Sequence, residues 1–281
     1  MGNIFMRFPG GKSKALTLSY DDGVAQDIRL IEIMKKHGLK GTFNINSGLY
    51  APEGTTNPDG KGRMSKSKCQ ELYLNSGMEV AVHGLTHPFL EQLPENLCTY
   101  EVLQDRKNLE EDFGCMIRGM AYPFGTTSDS VVASLKQCGI AYSRTTVSTE
   151  KFTIPTDWLR LPATCHHRNP RLMELARNFV DNAFLRTPGL FYLWGHSYEF
   201  DQNTPDNNWG IIEEFAEFMG GREDIWYATN IEIYDYIQAY NQLIFSMDYT
   251  RVYNPTCTTL YFKTAKGEYH VKPGETIVYE F

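Results

Sequence analysis

Short apolar segments alternate with segments of helical periodicity along most of the 281-residue chain. The apolar segments predict strands at 15–20, 41–46, 79–83, 117–125, 140–146, 190–196 and 225–229, with the proline-containing segment 159–165 as a weaker candidate. Apolar positions three and four residues apart predict helices at 28–37, 66–76, 95–112, 129–137, 170–182, 209–219 and 231–243. Strands that are apolar on both faces and are separated by helices predict a parallel sheet. Seven or eight such units favour a closed or nearly closed barrel over an open doubly wound sheet.

The pattern changes after about residue 246, where apolar and polar residues alternate singly. Turns at Lys266-Gly267 and Pro273-Gly274 divide this segment into short strands. We therefore expect an α/β barrel over 1–245 and a short antiparallel β extension over 246–281. Packing of the extension on the barrel is favoured over a role as a sugar-binding edge.

Charge and composition exclude several classes of protein. The net charge is −7 and the sequence contains no basic stripe, so nucleic acid is not an expected partner. The N-terminus has no apolar signal-peptide core, and no apolar run reaches the roughly 20 residues of a membrane helix, so a cytoplasmic protein is the default expectation. Six scattered cysteines without a C-x-x-C pair predict reduced thiols. Nothing in the sequence indicates the oligomeric state.

Residues with reactive side chains follow the predicted strands, at the end of a barrel where functional groups gather. The first strand ends in Asp21-Asp22, and the third ends in His83 with His87 four residues later. Further along the chain, His196 follows the strand at 190–196. Taken singly, Asp-Asp-Gly is a turn signal and H-x-x-x-H is common by chance, but together they place two carboxylates and three imidazoles at one barrel mouth.

These residue types fit metal-assisted hydrolysis. Two neutral imidazoles and one carboxylate form a three-ligand site for a divalent metal that keeps a position open for water. The second carboxylate is then available as a general base, and His196 as the acid for a leaving group. This division of roles explains why two like charges stand side by side.

The motifs YDDG, HGLTH and YPFG, followed by the segment at His196, together resemble the polysaccharide deacetylases of the NodB-homology type, carbohydrate esterase family 4. The resemblance covers most of residues 15–240 in motif order. It implies a distorted (β/α)7-type barrel that removes N-acetyl groups from an amino-sugar oligo- or polysaccharide. It also implies a divalent metal, with Zn²⁺ expected first and Co²⁺, Ni²⁺ or Fe²⁺ as other fitting ions.

The resemblance assigns roles to individual residues of this chain. Asp21 matches the catalytic base, His196 the general acid, and Asp22, His83 and His87 the metal ligands. The third motif matches Ala121 to Gly125, so that the N–H of Phe124 would bind the oxyanion and Tyr122, Pro123 and Gly125 would line the substrate site.

Two further motifs extend the predicted site. Asp157 matches an aspartate that tunes the acid histidine, and Trp158 matches a tryptophan that lines the groove. Leu193 is predicted to form a wall of the acetyl pocket. Glu199, in the segment SYEFD, is a candidate for substrate contact or for a structural bond to a loop N–H. The CHH segment at 165–167 is either a further ligand or substrate contact or an ordinary loop cluster.

The chain departs from the family pattern at Ala121, where an arginine usually pairs with the base. This departure indicates a divergent subgroup. We expect Arg144, at the end of the next strand, to take over that pairing, in preference to Arg118 or Arg160.

Alternative functions remain open at this point. The same motifs would suit an O-acetyl esterase or a cyclic-amide hydrolase, because they describe the metal site and not the acyl acceptor. A third hypothesis is a carbohydrate-binding protein without turnover, which would be favoured if no arginine reached Asp21.

Overall fold

The computed structural model describes residues 3–55 and 62–280 of the chain. The strands, in chain order, are β1 (Phe5–Arg7), β2 (Lys14–Asp21), β3 (Gly41–Ile45), β4 (Glu79–Val82), β5 (Gly119–Ala121), β6 (Tyr142–Ser148), β7 (Leu161–Ala163), β8 (Cys165–His166), β9 (Gly189–Gly195), β10 (Ile225–Tyr227), β11 (Ile244–Phe245), β12 (Arg251–Tyr253), β13 (Leu260–Lys263), β14 (Glu268–Val271) and β15 (Thr276–Val278). The α-helices are α1 (Asp27–Lys36), α2 (Lys66–Tyr73), α3 (Glu95–Phe113), α4 (Asp129–Gln137), α5 (Leu172–Asp181), α6 (Trp209–Met219) and α7 (Asn230–Tyr240). Every predicted helix is observed, with its ends shifted by about three residues at most.

A single parallel sheet of nine strands forms the centre of the molecule. Its strand order is β7-β6-β5-β4-β3-β2-β9-β8, and β10 pairs with the start of β2. The two strands at its ends, β7 and β8, follow each other in the chain and are joined by Thr164, whose N–H donates to the carbonyl of Tyr192. The sheet edges therefore meet, and the predicted α/β barrel is confirmed in a distorted, nearly closed form.

The weak strand candidate at 159–165 corresponds to both edge strands. Residues 158–160 form a short 3-10 helix before β7, and the chain changes partners at Thr164. One apolar segment thus closes the barrel from both sides.

The C-terminal part of the chain forms two small antiparallel sheets, as expected from the alternating pattern. One contains β11, β12 and β15, and the other contains β13, β14 and the N-terminal strand β1. The sequence analysis did not predict β1, which pairs residues 5–7 with residues 261–263. Phe262 and Val252 share a buried cluster with Ile233 and Ile237 of α7, so the extension packs on the barrel.

Alternation along β2 explains why the barrel mouth is polar. Leu16, Leu18 and Tyr20 pack towards the helices in the main core cluster. The residues between them face the barrel interior, where the Thr17 hydroxyl bonds to Asn230 and the Ser19 hydroxyl accepts from an asparagine of β3. A strand that is buried on both faces therefore carries an inward column of polar side chains that ends at the mouth.

No helix in the described ranges is long and apolar enough to cross a membrane. All six cysteines are free thiols, and two of them, Cys115 and Cys257, are exposed.

Candidate active site

Both carboxylates of the Asp-Asp-Gly turn face the barrel mouth because β2 ends between them. Asp21 is the last residue of β2 and points inward. In a continuing strand, Asp22 would point to the opposite face, towards the helices. Instead it adopts a φ of +85°, a left-handed conformation that is uncommon for a residue other than glycine. Its Oδ1 lies 4.0 Å from the Nε2 atoms of both His83 and His87.

Asp21 is buried and paired with Arg144. The Nη2 of Arg144 lies 2.6 Å from Oδ1 of Asp21 and also contacts Oδ2, and Asn44 donates to Oδ1 at 2.9 Å. Burial alone would raise the pKa of Asp21, but the charge of Arg144 outweighs it and holds that pKa at about 2. The carboxylate is therefore ionised across the ordinary pH range. The guanidinium also lies 4.5 Å from the ring centroid of Trp194.

A small residue at position 121 is what admits this arginine. Ala121 and Arg144 are paired across β5 and β6, and both are fully buried. The structure brings neither of the other two candidate arginines to Asp21. Arg118 binds Asp235 on α7, and Arg160 binds carboxylates on the rim.

Asp22, His83 and His87 form a group that can hold a metal ion, with their candidate ligand atoms within 4.8 Å of one another. His83 Nδ1 lies 2.8 Å from the carbonyl oxygen of Ala121, so Nδ1 carries the proton and Nε2 presents its lone pair to the group. That Nε2 is buried and makes no hydrogen bond with any described residue. Burial lowers the pKa of both histidines, that of His87 to about 4, and so keeps them in the neutral form that binds metals.

The ring of Phe124 lies beside this group. Phe124 has a φ of +57°, and its N–H makes no hydrogen bond within the described residues. Its exposed ring stacks on Phe89 with centroids 3.8 Å apart and meets His87 edge-on at 4.5 Å. Gly125 follows because a Cβ there would lie 2.2 Å from the Thr146 side chain.

His196 stands opposite the metal group, next to the base. Its Nε2 is 3.8 Å from Oδ2 of Asp21, and its Nδ1 is 3.5 Å from Oε2 of Glu199. Burial lowers the pKa of His196, but the carboxylates of Glu199 and Asp21 raise it by more, so that the pKa lies above its usual value. His196 is therefore suited to carry a proton near neutral pH.

Glu199 is shared by three histidines. Its Oε2 also lies 3.2 Å from the Nε2 atoms of His166 and His167, the two histidines of the CHH segment. Burial would raise the pKa of Glu199, but the imidazoles hold it far below its usual range. His166, His196 and Glu199 could also surround a metal ion by position. However, the backbone N–H of Arg168 donates to Nδ1 of His166, which puts the ring proton on Nε2, so that this atom presents a proton and not a lone pair to the group.

The structure does not bring Asp157 to His196, and this corrects its predicted role. Its carboxylate caps the short helix after it at the N–H of Leu159 and pairs with Arg160 on the rim. The carboxylate beside the histidine is Glu199, which is only three residues away in sequence and needs no long-range placement.

Three residues predicted to line the substrate site face the interior of the protein instead. Trp158 packs edge-on against Tyr234 of α7. The hydroxyl of buried Tyr122 donates to the carbonyl of Leu159, and Leu193 pairs with Leu18 and faces the helices. Strand alternation explains the last error, because an odd separation from His196 puts Leu193 on the opposite face.

Pro123 is also buried, and its ring packs at Gly84, which follows the metal-group residue His83. It supports the mouth and does not line it. Trp194, two residues before His196, is the side chain of β9 that faces the mouth beside Arg144.

Sequence reasoning missed Arg63, which contacts Asp22 directly. Its Nη2 lies 2.9 Å from Oδ1 of Asp22, and its Nη1 donates to the carbonyl oxygen of the same residue at 2.8 Å. Arg63 lies in a polar loop with no periodicity, so no sequence signal pointed to it. Asn44 was missed as well, although it is the inward residue of β3 at the level of Asp21.

The family model described as polysaccharide deacetylase matches residues 9–143 of the chain. A solved structure from Mycobacterium smegmatis, assigned to the polysaccharide deacetylases, superposes with a TM-score of 0.59 at 16% identity, over 86% of this chain and 96% of the other. The fold is therefore that of this class. The predicted resemblance to polysaccharide deacetylases is confirmed, and the low identity agrees with a divergent subgroup.

Two other solved structures are similar to parts of the chain. A family 4 carbohydrate esterase from Streptomyces lividans in complex with acetate has 17% identity and a TM-score of 0.49, over 76% of this chain and 91% of that one. The Streptococcus pyogenes deacetylase PplD in complex with acetate has 23% identity and a TM-score of 0.41, over 46% of this chain. The matched part spans about half of the PplD chain, 55% of it. No curated protein matches the chain.

Proposed function

We propose that the protein is a metal-dependent hydrolase that removes N-acetyl groups from an amino-sugar oligo- or polysaccharide. The observation that carries this proposal is the meeting, at one barrel mouth, of an arginine-paired carboxylate, a metal-ligand group and a histidine with a raised pKa. The match to the polysaccharide deacetylase family over 9–143 supports the class of reaction.

The ligand residues fit a divalent metal. The buried Nε2 of His83 has its lone pair aimed into the group and makes no hydrogen bond with a described residue. His87 is held neutral, and Asp22 supplies the negative charge. Zn²⁺ is the expected ion because imidazole and carboxylate ligands suit it, although Co²⁺, Ni²⁺ and Fe²⁺ suit the same set. When bound, such an ion supplies Lewis-acid activation of the acetyl carbonyl and of water.

Asp21 acts as the general base. It takes a proton from the water whose oxygen attacks the carbonyl carbon, and Arg144 and Asn44 keep the carboxylate ionised and oriented for that transfer. A carboxylate with a pKa of about 2 does not lose its charge to bulk protons, so the base form is present before each turnover.

Phe124 and His196 complete the reaction. The free N–H of Phe124 donates to the oxygen that becomes negative as the tetrahedral intermediate forms. His196 gives its proton to the nitrogen of the breaking C–N bond, so that acetate and a free amine leave. Oε2 of Glu199 lies 3.5 Å from Nδ1 of His196, and its negative charge favours the ring orientation that aims Nε2 at the site.

The test combines metal analysis with acetate release. The purified protein is assayed on N-acetylglucosamine oligomers and on acetylated xylan, with and without added Zn²⁺. Release from the oligomers that requires metal supports the proposal. Release from xylan alone identifies an O-acetyl esterase, and binding of the oligomers without release identifies a carbohydrate-binding protein.

Two variants separate the base from the ligands. We expect Asp21→Asn to lose turnover and keep its metal, and His83→Ala to lose both. Normal acetate release by either variant contradicts the assignment.

A further inference from the structure

We propose that Arg63 is a positioning residue that holds Asp22 in the conformation in which its carboxylate faces the metal-ligand histidines. The inference rests on the proposed function, because it concerns the metal group of the same site. It explains how the chain keeps two neighbouring carboxylates on the same side of a strand end.

The conformation of Asp22 requires such a partner. Its φ of +85° is strained for a residue with a Cβ, and such conformations persist only where the surroundings hold them. Asp22 is also next to a second carboxylate, Asp21, which repels it. Its own N–H is satisfied by the carbonyl oxygen of Asn44 at 2.9 Å, but this bond does not orient the side chain.

Arg63 supplies the missing constraint by binding both ends of Asp22. One guanidinium nitrogen donates to the main-chain oxygen at 2.8 Å and the other to the carboxylate at 2.9 Å. A planar guanidinium fixes the relative directions of two acceptors, which a lysine ammonium on a flexible stem does not do. The backbone carbonyl and the carboxylate of Asp22 are therefore locked together.

The backbone around Arg63 is itself anchored to the turn. Val24 and Arg63 form an antiparallel bridge, and the N–H of Met64 donates to the carbonyl oxygen of Gly23 at 2.9 Å. The stem of the arginine therefore starts from a fixed position beside the turn that it holds.

Asn46 extends the contact to a second ligand. Its Oδ1 accepts from Nη1 of Arg63 at 2.6 Å, and its Nδ2 donates to the carbonyl oxygens of His83 and Gly84 at 2.5 and 2.6 Å. One hydrogen-bond network thus joins the carboxylate of Asp22 to the backbone of His83. Loss of Arg63 would therefore break the network that holds both Asp22 and His83.

Charge is balanced in pairs at the mouth. Arg144 offsets Asp21, and Arg63 offsets Asp22. The ligand group is thereby arranged before any cation arrives, which lowers the cost of ordering it on binding. Arg63 binds Oδ1 of Asp22, the oxygen that also faces the two histidine nitrogens, and a carboxylate oxygen has a second lone pair that it can give to a cation. Arg63 therefore orients the ligand and does not replace the cation.

The experiment measures metal affinity without any sugar substrate. Co²⁺ and Zn²⁺ are titrated into metal-free wild type, Arg63→Met and Arg63→Lys, with Arg118→Met as the matched control that removes an arginine–aspartate pair outside the mouth. We expect Arg63→Met to bind about 10–100-fold more weakly, the range for partners that orient metal ligands. We expect Arg63→Lys to recover little of the lost metal affinity. The Co²⁺ absorption spectrum should be altered in both Arg63 variants. Arg118→Met should keep the affinity and the spectrum of wild type.

Unchanged or tighter metal binding by Arg63→Met overturns the inference, and tighter binding would identify Arg63 as a competitor of the cation. Full recovery of affinity and spectrum by Arg63→Lys also overturns it, since charge alone would then suffice. Circular dichroism of each variant establishes that it is folded. If wild type binds no divalent metal, both the proposed function and this inference fail. If wild type binds metal and its affinity does not depend on Arg63, only this inference fails.

Discussion

Asp27 offers a stability test whose sign follows from its burial. It opens α1 with no exposed surface, and its carboxylate accepts from the hydroxyls of Tyr73 and Ser197, each at 2.5 Å. Burial raises the pKa of Asp27 from 3.8 to about 7, more than these two hydrogen bonds lower it. The folded chain therefore holds this proton more tightly than the unfolded chain does.

Stability should consequently fall as the pH rises through the window between these two pKa values. Below the unfolded value both states are protonated and nothing is lost, while above about pH 7 the folded chain contains an ionised buried group. Linkage with pKa values of 3.8 and about 7 gives a loss of roughly 2.5 kcal/mol between about pH 5 and pH 8. Asparagine has nearly the shape of the protonated acid, offers one acceptor oxygen and cannot ionise.

We therefore expect the free energy of unfolding of Asp27→Asn, relative to wild type, to rise by roughly 2.5 kcal/mol from about pH 5 to pH 8. Urea unfolding followed by tryptophan fluorescence, with excess chelator so that metal binding does not contribute, measures this difference. Glu217→Gln, which replaces an acid by its amide on the exposed face of α6, is the matched control. A constant difference for Asp27→Asn, or one that shrinks as the pH rises, refutes the reasoning.

Further predictions concern the base and the acid. Arg144→Met leaves Asp21 buried without its counter-charge, so we expect the unfolding free energy to fall by about 3–5 kcal/mol. In the folded fraction, the acid limb of the pH profile of acetate release should move to higher pH. An acid limb that does not move contradicts the pairing of Arg144 with Asp21. Glu199→Gln removes the carboxylate that raises the pKa of His196, so the alkaline limb should move to lower pH. Asp157→Asn is the matched control for that shift and should leave the limb in place.

The strand ends were predictable because the apolar pattern locates them and a parallel barrel gathers them. The apolar pattern and the barrel topology together predict that Asp21, His83 and His196 lie at one mouth. It also selected Arg144, since a partner lost from one strand end is most easily replaced from the neighbouring strand. These inferences needed only local pattern and the topology of the fold.

The errors came from placement that a linear pattern does not contain. The error at Leu193 was avoidable, because strand alternation counted from His196 puts Trp194 on the mouth side. The error at Asp157 was not avoidable, since the position of Asp157 depends on the irregular path of the rim before β7. Arg63 carries no periodic signal at all, and only the folded loop brings it to Asp22.

The pairing of β1 with β13 has a consequence for the order in which the molecule can be completed during synthesis. Residues 5–7 emerge from the ribosome before residues 261–263, their strand partner within the described part of the chain, which lie about 250 positions later. Throughout most of translation this strand has an open edge of the kind that invites pairing with other chains. The sheet of β1, β13 and β14 is therefore completed only after the C-terminal segment has been synthesised, and a chain cut before residue 260 lacks the strand that pairs with β1.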